Sequence, residues 1–332
     1  MKIAFFETEF WEQEYLEEKL KEHELQFFEE DLNEKNAEQV KDADIISIFI
    51  YSQINKQLLS KLKNLKMIAT RSTGVDHIDL KECKKRKIKI LNVPSYGENT
   101  VAEHTFALIL SLARKIPQSF NRTTKGDFTI DNLQGFDLKG KTLGIIGLGR
   151  IGYHSAKIAK GFEMKILVFD LKRKRKLEKS LGFKYAQLDY LLKNSDIVTI
   201  HCPYNKHTHH LINKKNIKLM KRNSYLINTA RGPIVDTEAL IESLLKNRIA
   251  GAGLDVLEEE ELIKEETQLL SRKFSRHKLE GLLENHILAT IPNVIITPHN
   301  AFNTKEALQR ILDVTTLNIK ESRNKKPKNL VK

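Results

Sequence analysis

The chain is 332 residues long, 40% hydrophobic and 30% charged, enough for two domains that each bury a core. Its net charge of +13 comes from scattered lysines and arginines, 56 against 43 acids. No basic run carries the interleaved aromatics that stack bases, which argues against nucleic acid and for a lysine-rich solvated surface that also attracts anionic ligands.

Met1-Lys2-Ile3-Ala4-Phe5-Phe6 meets Glu7 at once, so the start lacks a secretory apolar segment and reads as a first strand, 2–7. Strand candidates follow at 24–28, 43–50, 67–72 and 88–93, with helical patterns at 12–21, 55–62 and 80–86 between them. Residues 100–115 form a helix-sized bridge opened by a capping box, Thr100 with Glu103. Its apolar run, 106–113 with Ser111 inside, is too short to span a bilayer. After an irregular loop at 126–140, a second strand series occupies 142–147, 165–170, 196–202, 224–229, 249–255 and 293–297. Such alternation implies α/β architecture with two doubly wound parallel sheets. Residues 258–291, opened by four glutamates, interrupt it at the carboxyl ends of the second sheet, as a lid, an oligomer contact or a solvated excursion. A further helix follows Asn303, and the basic tail 320–332 is expected to fray. Cys83 and Cys202, far apart and without metal-ligand spacing, exclude a disulfide framework and point to the cytoplasm; no metal is expected in the site.

Gly147-Leu148-Gly149-Arg150-Ile151-Gly152 lies between the strand 142–147 and a helical stretch, 153–162, and the next strand ends at Asp170. This is a dinucleotide fingerprint in its proper context. The first glycine permits the turn, the second lets backbone approach a pyrophosphate, and the third allows close helix–strand packing. The helix N-terminus, at Arg150 and Ile151, offers backbone N–H groups to phosphate. Asp170, 21 residues after Gly149, suits the ribose hydroxyls and repels a 2′-phosphate, which points to NAD rather than NADP. Lys172 and Arg173 beside it are the groups able to oppose that preference.

Three strand ends bring polar groups to the edge next to the cofactor: Asn228-Thr229-Ala230-Arg231-Gly232, Gly253-Leu254-Asp255-Val256 with Glu260 beyond, and Thr297-Pro298-His299-Asn300. A guanidinium, a carboxylate and an imidazole together suit 2-oxo acid chemistry. Arg231 holds the substrate carboxylate, His299 exchanges a proton with the carbonyl oxygen, and Glu260 orients the imidazole and favours its protonated form. Each has a plainer reading alone: a surface ion pair, one acid in a run of four, a strand cap.

The sequence resembles the D-isomer-specific 2-hydroxyacid dehydrogenases over most of its length. Arg71-Ser72-Thr73-Gly74-Val75-Asp76-His77-Ile78-Asp79 is similar to their substrate-carboxylate loop, and Asn92-Val93-Pro94-Ser95-Tyr96-Gly97-Glu98-Asn99-Thr100-Val101-Ala102-Glu103-His104 to their hinge helix. Asp137-Leu138-Lys139-Gly140-Lys141-Thr142 leads into the fingerprint in their manner, and Ile227 to Asp236 and Pro298-His299 match their catalytic segments. The resemblance implies a flavodoxin-like substrate domain, 1–99 with 302–332 returning, a Rossmann NAD-binding domain, 100–301, and a cleft between them. It implies that Arg231, Glu260 and His299 are catalytic, and that Gly74 and Val75 donate backbone N–H groups to the substrate carboxylate, with Tyr96 nearby. It places Asp255 on the nicotinamide amide, with Pro203 and Thr229 beside the cofactor. A homodimer is implied, with 100–115 the candidate contact. Tyr51 and Phe302, next to His299, resemble the pocket aromatics of the branch acting on pyruvate, where they leave room for a methyl group. The rivals are a relative acting on a larger or phosphorylated acid such as 3-phosphoglycerate, and an NAD-sensing regulatory protein.

Overall fold

The computed structural model describes residues 1–258, 260, 276–323 and 327–331. The chain divides into two compact units, Met1–Tyr96 with Thr304–Lys332, and Gly97–Asn303.

In the first unit β1 (Lys2–Phe5), β2 (Glu24–Phe27), β3 (Ile45–Ile48), β4 (Met67–Thr70) and β5 (Lys89–Leu91) form a sheet in the order β2-β1-β3-β4-β5. All pairs are parallel, and the order is that of flavodoxin-like folds. β3 and β4 read Ile-Ile-Ser-Ile and Met-Ile-Ala-Thr and are buried at every residue, as strands covered on both faces must be. Helices α1 (Phe10–Lys19), α2 (Lys56–Lys61) and α3 (Leu80–Lys85) supply the crossovers. Asn55 and Asp79 cap the last two by accepting the N–H groups of Leu58 and Glu82. The returning helix Lys305–Lys320 packs Leu312 and Ile319 against Ile3, Phe5, Leu16 and Leu20. The tail does not fray where it is described. Val331 N–H bonds Ile90 O at 2.9 Å and Leu330 bridges Leu91, because β5 leaves an unpaired sheet edge. Residues 324–326 and 332 lie outside the described residues.

The second unit contains α4 (Glu98–Ala113), α5 (Ile116–Thr123), β6 (Thr142–Ile146), α6 (Arg150–Gly161), β7 (Lys165–Phe169), α7 (Arg175–Leu181), β8 (Lys184–Tyr185), α8 (Leu188–Asn194), β9 (Ile197–Ile200), β10 (Tyr225–Asn228), α9 (Thr237–Leu245), β11 (Gly251–Leu254) and β12 (Val294–Ile296). Its parallel sheet runs β12-β11-β10-β9-β6-β7-β8. The order reverses between β6 and β9, and at such a switch point the carboxyl ends of doubly wound sheets open a ligand crevice. β8 was not among the expected strands, since two residues leave no apolar run. The capping box also fails: α4 begins at Glu98 on the N-cap Gly97, and Thr100 lies inside it, 4% exposed. Gly97 O already accepts Val101 N–H at 2.8 Å, which closes the first turn before Thr100. Phe106, Leu108, Ile109, Leu112 and Ala113 of α4 sit in one core with Leu143, Ile145 and Ile227. The insertion expected at 258–291 is described only at Glu258, Glu260 and from 276 onward, where a helix Arg276–Thr290 leads into β12. Its reading as a lid or contact falls largely outside the described residues.

Candidate active site

The site grows from the turn between β6 and α6. Gly147 has φ 94°, a left-handed conformation that disfavours any side chain, and an added Cβ would stand 2.7 Å from Cys202 N. At Gly152 an added Cβ would strike Gly147 O, so α6 rests directly on the turn. Gly149, the N-cap of α6, differs: a Cβ there would meet nothing within 4 Å. That open space at the helix start, beside Arg150 and Ile151, fits a pyrophosphate. Arg150 reaches Glu98 at 3.4 Å. Asp170 Oδ2 accepts Leu148 N–H at 2.6 Å and Oδ1 accepts Lys172 N–H at 2.7 Å, which fixes the acid at the rim of the glycine turn. Lys174 Nζ donates to Leu148 O at 2.7 Å, and the Arg173 guanidinium lies over the Tyr185 ring, 5.7 Å from its centre. The donor set fits a dinucleotide whose ribose carries a free 2′-hydroxyl. His201, just past β9, stands 3.1 Å from both Ser155 Oγ and Thr199 Oγ1; burial pushes its pKa down to about 3, so it is neutral. Burial pushes the Cys202 thiol up to about 11, which leaves it protonated and inert. Pro203 opens the exposed loop that follows.

Past β10, the Asn228 side chain accepts Ala230 N–H at 3.0 Å and donates to Arg231 O at 2.9 Å, shaping the loop that carries Arg231. Arg231 is half-buried, and its Nη1 bonds Ala230 O at 2.7 Å. At Gly232 an added Cβ would strike the Leu257 carbonyl, so this loop presses on the turn leaving β11. That turn carries Glu260, whose Oε1 lies 2.6 Å from His299 Nδ1 while Oε2 accepts Leu257 N–H at 3.3 Å. Thr229 Oγ1 meets Thr105 Oγ1 of α4 at 3.0 Å. Of the four glutamates, Glu258 turns the other way, to His210 at 2.7 Å, and Glu259 and Glu261 lie outside the described residues.

His299 has φ 52°, a left-handed conformation that needs support. Asp255 supplies it. This carboxylate, 1% exposed, accepts Thr297 Oγ1 at 2.5 Å, Asn300 N–H at 3.0 Å and Ala301 N–H at 2.9 Å. Both oxygens of Asp255, the acid expected on a nicotinamide amide, serve the loop that carries His299. His104 joins them, its Nε2 3.0 Å from Thr297 Oγ1 and 3.4 Å from Asp255 Oδ1. Phe302, half-buried, follows this loop.

In the first unit Tyr51, Gly74 and Val75 also lie just beyond strand ends. Tyr51 is 36% exposed, Gly74 O accepts Ser72 Oγ at 2.7 Å, Val75 O accepts Ile78 N–H at 3.1 Å, and Tyr96 O accepts Arg310 Nε at 2.7 Å. Glu7, which sequence reasoning passed over, holds the Tyr51 loop. Its carboxylate accepts Phe49 N–H, Tyr51 N–H at 2.7 Å, Ser52 N–H at 3.1 Å and Ser52 Oγ at 3.2 Å. Glu7 itself has φ 58°, and the buried Arg71 donates to its carbonyl at 2.5 Å. The one signal in the sequence is an acid directly after the apolar run Ile3-Ala4-Phe5-Phe6. His104 and Thr297 were likewise passed over as site residues; nothing in their spacing links two positions so far apart.

Fold and site together define a dinucleotide-binding dehydrogenase. Residues 106–301 match the family model for the D-isomer specific 2-hydroxyacid dehydrogenase NAD binding domain. The chain belongs to the D-isomer-specific 2-hydroxyacid dehydrogenase family and is an NAD-dependent enzyme of that class. It is similar to the D-lactate dehydrogenase of Aquifex aeolicus, solved with NAD and lactic acid, at 40% identity and a TM-score of 0.87, covering 96% of this chain and 94% of that one. A glyoxylate reductase of Thermofilum pendens is 40% identical over 285 residues, 84% of this chain and 78% of the relative. An aromatic 2-oxoacid reductase of Clostridium sporogenes is 36% identical over 305 residues, 90% of this chain and 88% of the relative.

Proposed function

We propose that the enzyme reduces pyruvate to D-lactate. The observation that carries the chemistry is the 2.6 Å pair of Glu260 Oε1 and His299 Nδ1. A carboxylate there fixes the tautomer and ring orientation, so that Nε2 holds the proton delivered to the keto oxygen. Bound NADH supplies the hydride. Arg231 grips the substrate carboxylate through its planar fork, with the backbone N–H groups of Gly74 and Val75 as further donors. Gly147, Gly149 and Gly152, with Arg150, Ile151, Pro203, Thr229 and Asp170, hold the dinucleotide, and Asp170 selects NAD over NADP. Asp255 keeps the His299 loop in its strained conformation.

Tyr51 and Phe302 favour a methyl-sized substituent, and the lactate-bound relative supports this substrate among those named for its kin. A panel of pyruvate, glyoxylate and phenylpyruvate with NADH tests it: pyruvate should give the highest kcat/KM. A higher value for either of the others moves the enzyme to that substrate. Turnover with any of them sets aside a purely regulatory role, and turnover of a phosphorylated acid above all three revives the larger-substrate alternative. We place the enzyme in the cytoplasm; among the described residues no helix is long and apolar enough to cross a membrane.

A homodimer completes the proposal. The apolar face of α4, within the stretch 100–115 expected at the contact, is buried in its own unit. Ile116, Phe120, Phe128 and Ile130, exposed just after it, are the apolar groups left to cover.

A further inference from the structure

The loop leaving β9 and the turn leaving β11 bring a second set of ligating side chains together, apart from the His299 pair. His209, His210 and Glu258 each offer one nitrogen or oxygen, and these atoms all lie within 4.8 Å of one another. His210 Nε2 stands 2.7 Å from Glu258 Oε1. The imidazole is presented by a backbone at φ 47°, a conformation that a non-glycine residue keeps only when its surroundings impose it. Here they do: His210 N–H bonds Pro233 O at 2.9 Å, and Asn213 Nδ2 bonds His210 O at 3.0 Å. The His209 ring stacks on that of His210 with centroids 4.0 Å apart.

We propose that His209, His210 and Glu258 form a binding site for a divalent transition-metal ion of the zinc class. Two imidazoles and a carboxylate are a ligand set that zinc takes with water in its remaining position. Magnesium and calcium prefer oxygens throughout and are disfavoured by two nitrogen donors. Ligand atoms around a tetrahedral zinc lie ~3.3 Å apart, given bonds of about 2.0–2.1 Å. Filling the site opens the His210–Glu258 pair from 2.7 Å toward that spacing and turns the exposed, stacked His209 ring in to meet it. The Tyr204 hydroxyl, 3.4 Å from His209 Nδ1, orients that ring and leaves Nε2 for the ion, as outer partners of metal-bound histidines do. Glu258 is held from its other side: Oε2 accepts Thr237 Oγ1 at 2.8 Å, which keeps Oε1 toward the imidazoles. A bound ion ties the loop that begins at Pro203 to the turn that carries Glu260, without using a catalytic side chain.

The test titrates the full chain, stripped of metal by a chelator, with zinc chloride against a chromophoric zinc indicator. One zinc ion should bind per chain. His209→Gln should weaken it by at least about tenfold, because losing one of three ligands removes a large share of the binding energy. His207→Gln and His299→Gln should leave it in place. His209 is exposed, so its substitution spares the core. Equal zinc affinity in the wild type and His209→Gln overturns the proposal. So does a wild-type chain that binds no zinc at about 1 mM, the weak end of specific binding. Zinc kept by His209→Gln and lost from His299→Gln overturns it as well, by locating the ion at the catalytic pair.

Discussion

At the carboxyl edge of the seven-stranded sheet, chemically active side chains follow one strand after another: Arg231 after β10, Asp255 and Glu260 after β11, His299 after β12. At the same edge of the five-stranded sheet the groups assigned to the substrate are backbone N–H groups, at Gly74 and Val75, and one aromatic, Tyr51. What orders the Tyr51 loop at that second edge is one half-buried acid. Glu7 gathers three N–H groups and a hydroxyl from residues 49–52, four donors for one carboxylate. In the proposed function the first edge moves a proton and holds a charge, and the second holds a shape. Damage to one should therefore appear in kcat, and damage to the other in KM.

His299→Gln should have the largest effect. It removes the proposed general acid, so pyruvate reduction should fall about 10²–10⁴-fold in kcat while NADH binding, read by fluorescence titration, stays as in the wild type. A kcat close to the wild-type value would mean that the proton comes from elsewhere and that the edge of the larger sheet is not the chemical one. Arg231→Lys comes next. Lysine keeps the charge and loses the planar fork, and a slightly misplaced substrate costs about a hundredfold in kcat/KM. Activity near the wild-type level would show that another group anchors the carboxylate.

Glu7→Gln should be milder and different in kind, raising the KM for pyruvate by about tenfold with kcat nearly kept. Its pH behaviour sharpens the test. Burial holds the Glu7 carboxyl above the usual glutamate range, against the pull of Arg71 and of the N–H groups of Phe49 and Tyr51. Only the carboxylate form accepts all four donors. As pH falls into that raised range the Glu7 carboxyl takes up a proton, the Tyr51 loop loosens, and the wild-type KM should climb. Glu7→Gln, with no proton to gain, should show a high KM without that climb. A variant that loses kcat and KM control together, or follows the wild-type pH profile, would remove Glu7 from the substrate edge.

The same contrast explains what could be read from the sequence. The alternation of apolar runs gave both parallel sheets, and the glycine spacing between β6 and α6 marked the dinucleotide turn, because both are local patterns. Polar residues at consecutive strand ends were readable for the same reason, since parallel strands deliver their ends to one edge. The start of α4 was not, because a glycine N-cap has no side-chain signature while the threonine and glutamate behind it imitate one. Nor was β8, two residues long. Glu7 lies 42–45 positions from the N–H groups it binds, and only the pairing of β1 with β3 brings them together. Asp255 was visible as a strand-end acid, yet its partners Asn300 and Ala301 come from a loop more than forty residues on. Long-range convergence on one carboxylate leaves no trace in periodicity.

The smallest expected effect decides which edge sets substrate size. Tyr51 belongs to the five-stranded unit and Phe302 to the other, and both are assigned to the wall around the methyl group of pyruvate. Shortening either side chain to leucine opens space without adding or removing charge. Extra apolar room is worth little, about 1–3 kcal/mol for a methylene that fills it, so the ratio of kcat/KM for phenylpyruvate over pyruvate should rise by roughly tenfold. If the shape of the pocket is set by the edge that Glu7 orders, Tyr51→Leu should shift the ratio more than Phe302→Leu. Glu7→Gln should then shift it in the same direction as Tyr51→Leu, because loosening the loop and trimming its aromatic both remove the same wall. Combining Glu7→Gln with Tyr51→Leu should add little to either, since two changes in one contact network are not additive. A ratio that responds only to Phe302→Leu would place size selection beside His299 and leave Tyr51 with a packing role. Full additivity of the Glu7 and Tyr51 changes would break the link between that acid and the pocket.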